Sequence, residues 1–268
     1  MKVLFIGATG LVGSHAVSIL KDKYDITPAA IDGGEVAGMP VQQIDVVQWH
    51  DIESVIKNGT ADGEKFDAVV YCVTADYHGL DRSNAESMRR YYETCIEVNA
   101  RGAYHVFEAA WRAGVSRVVH IGSMTAVLGP PLYDYIDVDT PNRPNDLYAV
   151  TKIFGENVGR SYAYRQAESG KSMKVLCLRL GQPCIEDEPR TLKWINSKKS
   201  CGMALDVRDI ASAIECCLTT DVQYGVYPIV SAADIIRVNP ASYAELGYKP
   251  QWKYDFVLYK KVKISAVS

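Results

Sequence analysis

Tyr148 and Lys152 stand four residues apart in "NDLYAVTKIFGENVGRSYA", a stretch of helical periodicity, so the two side chains share one helix face. A phenol ionises near pH 10, and accepting a proton near neutrality requires its pKa to fall by about three units, roughly 4 kcal/mol. A neighbouring ammonium can supply part of that, which gives Lys152 a reason for its position. Spacing alone carries little weight: with 17 tyrosines in the chain, about one Y-x-x-x-K arises by chance. A second pair does occur, Tyr259 and Lys263 in the polar tail. The first pair differs in following an apolar run and a long loop.

A second constellation opens the chain. "KVLFI" runs directly into "GATGLVGSHAVSIL", which places Gly7, Gly10 and Gly13 in a G-x-x-G-x-x-G pattern at a strand-to-helix turn. With 20 glycines in 268 residues, chance gives roughly 0.1 such patterns. The first glycine permits the tight turn, the second lets the backbone approach a pyrophosphate, and the third lets helix and strand pack closely. The helix N-terminus then offers free N–H groups and the positive end of its dipole. Thr9, Leu11 and Val12 lie in the same turn and belong to the expected dinucleotide site. Asp32, read as closing the second strand, can accept hydrogen bonds from ribose hydroxyls. No Lys or Arg follows it in "IDGGEVAGMP", and Glu35 adds negative charge, so NAD is expected rather than NADP. Asp45 and Val46, after "VQQI", are within reach of an adenine.

Elements that could hold these residues alternate along the first half. Apolar runs at 2–6, 25–31, 41–44, 67–73, 117–121 and 173–180 are separated by helical patterns near 11–20, 51–57, 88–113, 147–168 and 207–218. This is the pattern of an α/β fold, a Rossmann-type doubly wound parallel sheet with helices on both faces. Burial on both faces explains why the runs are continuously apolar rather than alternating. The segments that break the rhythm are 74–87, 123–146, 182–205 and the tail from 231. Three of them follow strand ends, where such sheets bind ligands. The expected organisation is a cofactor core at 1–181, with 206–230 returning to it, and a small substrate lobe from 182–205 and 231–268.

Composition sets the outer bounds. Twenty-nine basic against 32 acidic residues, net −3, leave no charge excess to hold a nucleic-acid backbone. No run is long and apolar enough for a membrane span, and no signal segment precedes the first strand, so a cytoplasmic protein is expected. Seven cysteines without C-x-x-C spacing read as reduced, buried thiols, and the five histidines show no metal-ligand spacing.

Together "GATGLVG", "VNARGAYHVFEAA" around Asn99, "RVVHIGSMTAVLG" and "YAVTK" resemble the extended short-chain dehydrogenase/reductases, the NAD-dependent epimerase/dehydratase type. The resemblance implies Tyr148 as catalytic acid/base, Lys152 as the residue that lowers its pKa and holds the nicotinamide ribose, and Val73 and Asn99 beside the cofactor. It also implies a Ser or Thr after the fifth strand, bonded to the reacting oxygen. Counting back from Gly129, that position holds Met124, with Ser123 and Thr125 on either side. Either neighbour takes the role through a shifted loop, Thr125 being slightly preferred, or the hydroxyl is missing. The helices near 88–113 and 147–168 resemble the pair through which the superfamily commonly forms homodimers or larger homo-oligomers.

Downstream, "RPNDLYAVTKIFGENVGRSYA", "LRLGQP", "PRTLKWINS" and "ASYAELGYKP" are similar to uronate dehydrogenases, which oxidise a sugar acid with NAD. That similarity implies Arg190 as the guanidinium that binds a substrate carboxylate, and places Asp76 where a substrate-binding serine stands. His78 and Tyr77 share this loop and are candidate substrate contacts. The leading expectation is therefore oxidation of a sugar acid, or a related polyol or aldose, with Tyr148 as base. The alternatives are a nucleotide-sugar epimerase or dehydratase that recycles bound NAD, and a non-catalytic NAD-binding regulator. About 60 residues left for substrate favour the compact, unlinked sugar.

Overall fold

In β1 (Lys2–Ile6) successive side chains go to opposite faces: Val3 and Phe5 enter one apolar layer, Leu4 and Ile6 the other. The computed structural model describes residues 1–75, 77, 79–165, 172–186, 188, 191, 202–233, 236–254 and 261–263. Six further strands join β1: β2 (Asp25–Ala30), β3 (Gln42–Gln43), β4 (Ala68–Tyr71), β5 (Arg117–Ser123), β6 (Lys174–Leu180) and β7 (Tyr224–Ile229). All pair in parallel, in the order β7-β6-β5-β4-β1-β2-β3. The chain therefore builds outward in opposite directions from the β1/β4 boundary, and its connections leave a crevice at the carboxyl ends of those two strands.

Helices cover both faces. α1 (Leu11–Leu20) and α6 (Val207–Thr219) close one side through Ala16, Val17, Leu20, Ile210, Ile214 and Leu218. α2 (Trp49–Asn58), α4 (Gly102–Ala113) and α5 (Leu147–Ala163) close the other, with Ile52, Val55, Val106, Phe107 and Tyr162 buried. Each such large apolar side chain contributes about 1.5–3 kcal/mol when removed from water. The expected helix near 88–113 is three pieces: α3 (Ala85–Thr94), a π-helical stretch over Cys95–Arg101, and α4. α5 ends at Ala163, five residues short of the expected end.

Asn84, Asp146 and Asp206 cap α3, α5 and α6 by accepting from the amides of Ser87, Ala149 and Arg208. A buried ion pair locks α5 to β6, since Arg179 donates to Glu156 from Nε at 2.8 Å and from Nη2 at 2.7 Å. Beyond the sheet, 182–184 pairs in parallel with 204–206, and 232–233, 252–254 and 261–263 form a small three-stranded sheet. The 123–146 loop is tied to the C-terminal part by the Ile136 and Val238 bridge. No helix among the described residues is long and apolar enough to cross a membrane.

Candidate active site

Gly7, immediately after β1, has φ +91°, and a Cβ there would lie 2.4 Å from the Cys72 carbonyl oxygen. A Cβ on Gly13 would lie 2.0 Å from the Gly7 oxygen. Both glycines are thus required by the chain's own packing. Gly10 is different: its nearest neighbour would be an ordinary 3.5 Å away. It opens α1 with no side-chain cap, no acidic residue follows in the first turn, and Thr9 and Leu11 beside it are exposed. Uncapped N–H groups beside an unfilled Cβ position suit a pyrophosphate.

Asp32 lies two residues past the end of β2, exposed, rather than closing that strand as expected. The ladder with β1 stops at Ala29 and Ala30 pairs only with Gln43, so Asp32 lies past the carboxyl end of the strand. Asp45 is partly spent locally: its Oδ1 accepts from the Val47 amide at 2.9 Å. Val46 is buried, and its carbonyl accepts a 3.0 Å hydrogen bond from His105.

The catalytic candidates meet at the carboxyl ends of β4 and β5. Lys152 is 2% exposed, and its Nζ donates to the carbonyls of Val73 at 2.9 Å and Ile121 at 3.2 Å. Burial lowers its pKa to about 8, so it remains cationic at neutral pH. The Nζ lies 5.9 Å from the centre of the Tyr148 ring. Burial raises the Tyr148 phenol above its ordinary value, opposed by hydrogen bonds from the hydroxyls of Thr74 and Ser123. In the polypeptide by itself the phenol is therefore neutral, because desolvation outweighs the groups that face it.

Of the two hydroxyls flanking Met124, Ser123 is the one that reaches Tyr148. Thr125 donates to it from N at 3.2 Å and from Oγ1 at 2.9 Å. With Thr125 occupying the Ser123 acceptor lone pairs, the Ser123 proton is left to point outward. Met124 is buried in the core, since β5 ends in a 3-10 turn at Met124–Val127 that rotates its side chain inward.

Asn99 stands beneath the site rather than in its wall. It is 1% exposed; Oδ1 accepts from the Ala75 amide at 3.0 Å, and Nδ2 donates to Thr151 Oγ1 at 3.1 Å. Asp76, His78, Arg190, Trp194 and Tyr259 lie outside the described residues, whereas Tyr77 is exposed. Glu186 pairs with Arg208 at 3.2 Å. Thr74 and the buried, neutral His120 escaped the sequence reading, since no spacing rule marks a lone loop threonine or a histidine inside a strand.

The sequence matches the NAD-dependent epimerase/dehydratase family over residues 3–186. The chain belongs to that family. An L-arabinose 1-dehydrogenase (NAD(P)(+)) of Haloferax volcanii is 29% identical over 201 residues, 70% of each chain. A uronate dehydrogenase of Agrobacterium fabrum is 32% identical over 93 residues, 35% of each chain. Among solved structures, uronate dehydrogenase from Agrobacterium tumefaciens superposes with a TM-score of 0.69 at 22% identity, covering 94% of this chain and 85% of that one. NAD is the family's cofactor, and the Gly7–Gly13 turn described above fits it.

Proposed function

We propose that this family member is an NAD-dependent dehydrogenase that oxidises one carbinol carbon of a free sugar or sugar acid to a carbonyl. The observation that carries this reading is Lys152, a buried cation held by carbonyls at the ends of two central strands, with its Nζ 5.9 Å from the centre of the Tyr148 ring. When bound, NAD supplies the hydride acceptor and a positive ring beside the phenol. Tyr148 takes the substrate hydroxyl proton at Oη. Lys152 stabilises the phenolate from which that transfer starts. In the substrate complex the single Ser123 proton, which faces the phenol in the free protein, turns to the substrate oxygen and orients it; Thr125 acts through Ser123. Exposed Asp32, with Glu35 close in sequence, disfavours a 2′-phosphate, which supports NAD over NADP. The similarity to L-arabinose and uronate dehydrogenases supports an unlinked sugar, with Arg190 proposed to take the carboxylate of a sugar acid.

Mixing the protein with NAD and a panel of uronates, aldoses and polyols should produce NADH absorbance with at least one sugar. Tyr148→Phe and Lys152→Met should each lower kcat/KM by about a hundredfold or more while the fold is kept. Conversion of a nucleotide sugar without net NADH would establish the epimerase reading instead.

The same helices also support a homo-oligomer. The surface of the adjacent α4 and α5 helices, with the π-helical stretch, leaves Ile96, Tyr104, Val150 and Phe154 exposed, more apolar side chains than a solvated helix pair ordinarily shows.

A further inference from the structure

Three local hydrogen bonds knit the turn between β3 and α2. Asp51 on α2 accepts from the Asp45 amide at 2.9 Å, Asp45 Oδ1 accepts from the Val47 amide at 2.9 Å, and the Gln48 amide donates to the Asp45 carbonyl at 3.0 Å. A fourth bond comes from 59 residues away: His105 Nδ1, in the first turn of α4, lies 3.0 Å from the Val46 carbonyl oxygen. A carbonyl only accepts, so this nitrogen carries a proton and donates it. The same ring packs in a T-shape against Trp49, the first residue of α2, with centroids 5.6 Å apart and planes at 74°. His105 therefore touches the turn in its middle and at its exit. α4 comes close enough for this because it begins with Gly102, where a Cβ would lie 2.8 Å from Val46 Cγ2 and 2.8 Å from the Tyr71 hydroxyl.

Among the described residues the Val46 amide and Asp45 Oδ2 make no hydrogen bond, although Val46 is only 5% exposed. A buried amide left without a partner is rare in native folds. Here a donor and an acceptor stand on adjacent residues, and they complement the edge of adenine, where N1 accepts and the 6-amino group donates. We propose that His105 is a positioning residue for cofactor binding: by holding the Val46 carbonyl and Trp49 from α4, it fixes the turn that presents this donor and acceptor to the adenine of NAD. The proposal deepens the dehydrogenase reading and rests on NAD being the cofactor. Without the His105 bond, the Val46 backbone is free to turn about its two soft dihedrals, and the amide loses its direction.

Calorimetry with NAD and with its hypoxanthine analogue tests this. Hypoxanthine keeps the size of adenine but carries an oxygen at C6 and a proton on N1, which reverses both groups. The parent protein should bind NAD about tenfold or more tightly than the analogue. His105→Phe, which keeps a ring beside Trp49 and removes the donor, should weaken NAD about five- to tenfold and the analogue by less than about twofold. His105→Asn, whose amide nitrogen can take the place of Nδ1, should restore NAD binding. His105→Leu removes the donor with a good helix former and should repeat the His105→Phe result if the larger ring disturbs packing. Equal weakening of both dinucleotides, NAD affinity unchanged in the Phe and Leu variants, or a parent that binds both dinucleotides alike each overturns the proposal. Because binding alone is read, NAD bound without oxidation of any sugar would sink the dehydrogenase reading and leave the His105 result decided.

Discussion

Lys152 and His120 show how one buried neighbourhood treats two bases differently. Lys152 has two carbonyls to donate to and stays charged at neutral pH, with a pKa of about 8. His120, on the adjacent strand β5, is 1% exposed, and neither ring nitrogen finds a partner of normal hydrogen-bond geometry. It packs against Tyr71 at 5.7 Å and Phe107 at 5.9 Å. Burial, then the Lys152 charge, push its pKa down to about 3, only partly opposed by the Lys152 backbone. Because the folded value lies below the unfolded one near 6.5, the neutral ring's stabilisation is complete above pH 6.5 and falls away as the pH drops toward 3. Between pH 7 and 5 this costs about 2 kcal/mol. Urea unfolding of His120→Leu should therefore show a pH dependence shallower by about that amount; an identical slope would mean that His120 is not held neutral.

At the scale of elements, the strand-to-helix turn separates glycines that the fold needs from one that it does not. Gly7 and Gly13 are excluded from carrying a Cβ by backbone atoms at 2.4 and 2.0 Å, while Gly10 has room for one. Gly13→Ala should lower the melting temperature by several degrees or prevent folding, the clash being with a carbonyl that cannot move. Gly10→Ala should melt like the parent yet bind NAD about tenfold or more weakly by calorimetry, because the methyl fills the surface facing the pyrophosphate. Unchanged affinity would remove that turn from the cofactor site. The Glu156 and Arg179 pair works at the same scale, since it fixes α5, and with it Tyr148 and Lys152, against β6.

For the whole molecule, the apolar residues left on the outer helix faces bear on assembly. Val150 and Phe154 are one turn apart on α5, beside Ile96 and Tyr104, and each is between 45% and 46% exposed. Phe154→Glu should convert an associating protein to monomer in light scattering, with the Tyr148 site still assembled as judged by NAD binding. A parent protein that is already monomeric at micromolar concentration would refute the homo-oligomer reading.

Much of this was legible in the residue order. The Gly7, Gly10 and Gly13 spacing, the both-face-apolar strands and the helix-face pair Tyr148 and Lys152 follow from local geometry, because a period of two or of 3.6 acts over neighbouring residues only. The parallel sheet, most element boundaries to within a few residues, and the placing of Tyr148 and Lys152 on one helix were accordingly readable from the residue order. What depended on contacts between distant segments was not. Whether Ser123 or Thr125 reaches the phenol turned on a 3-10 turn that rotates Met124 into the core. The placing of Thr74 turned on hydrogen bonds from residues 24 and 79 positions apart. The direction of the Tyr148 shift turned on desolvation, a sum over everything packed around the ring. The sequence determines which groups are available and which local element carries them; only the tertiary structure decides which of them touch, because burial and long-range hydrogen bonds are properties of the assembled fold.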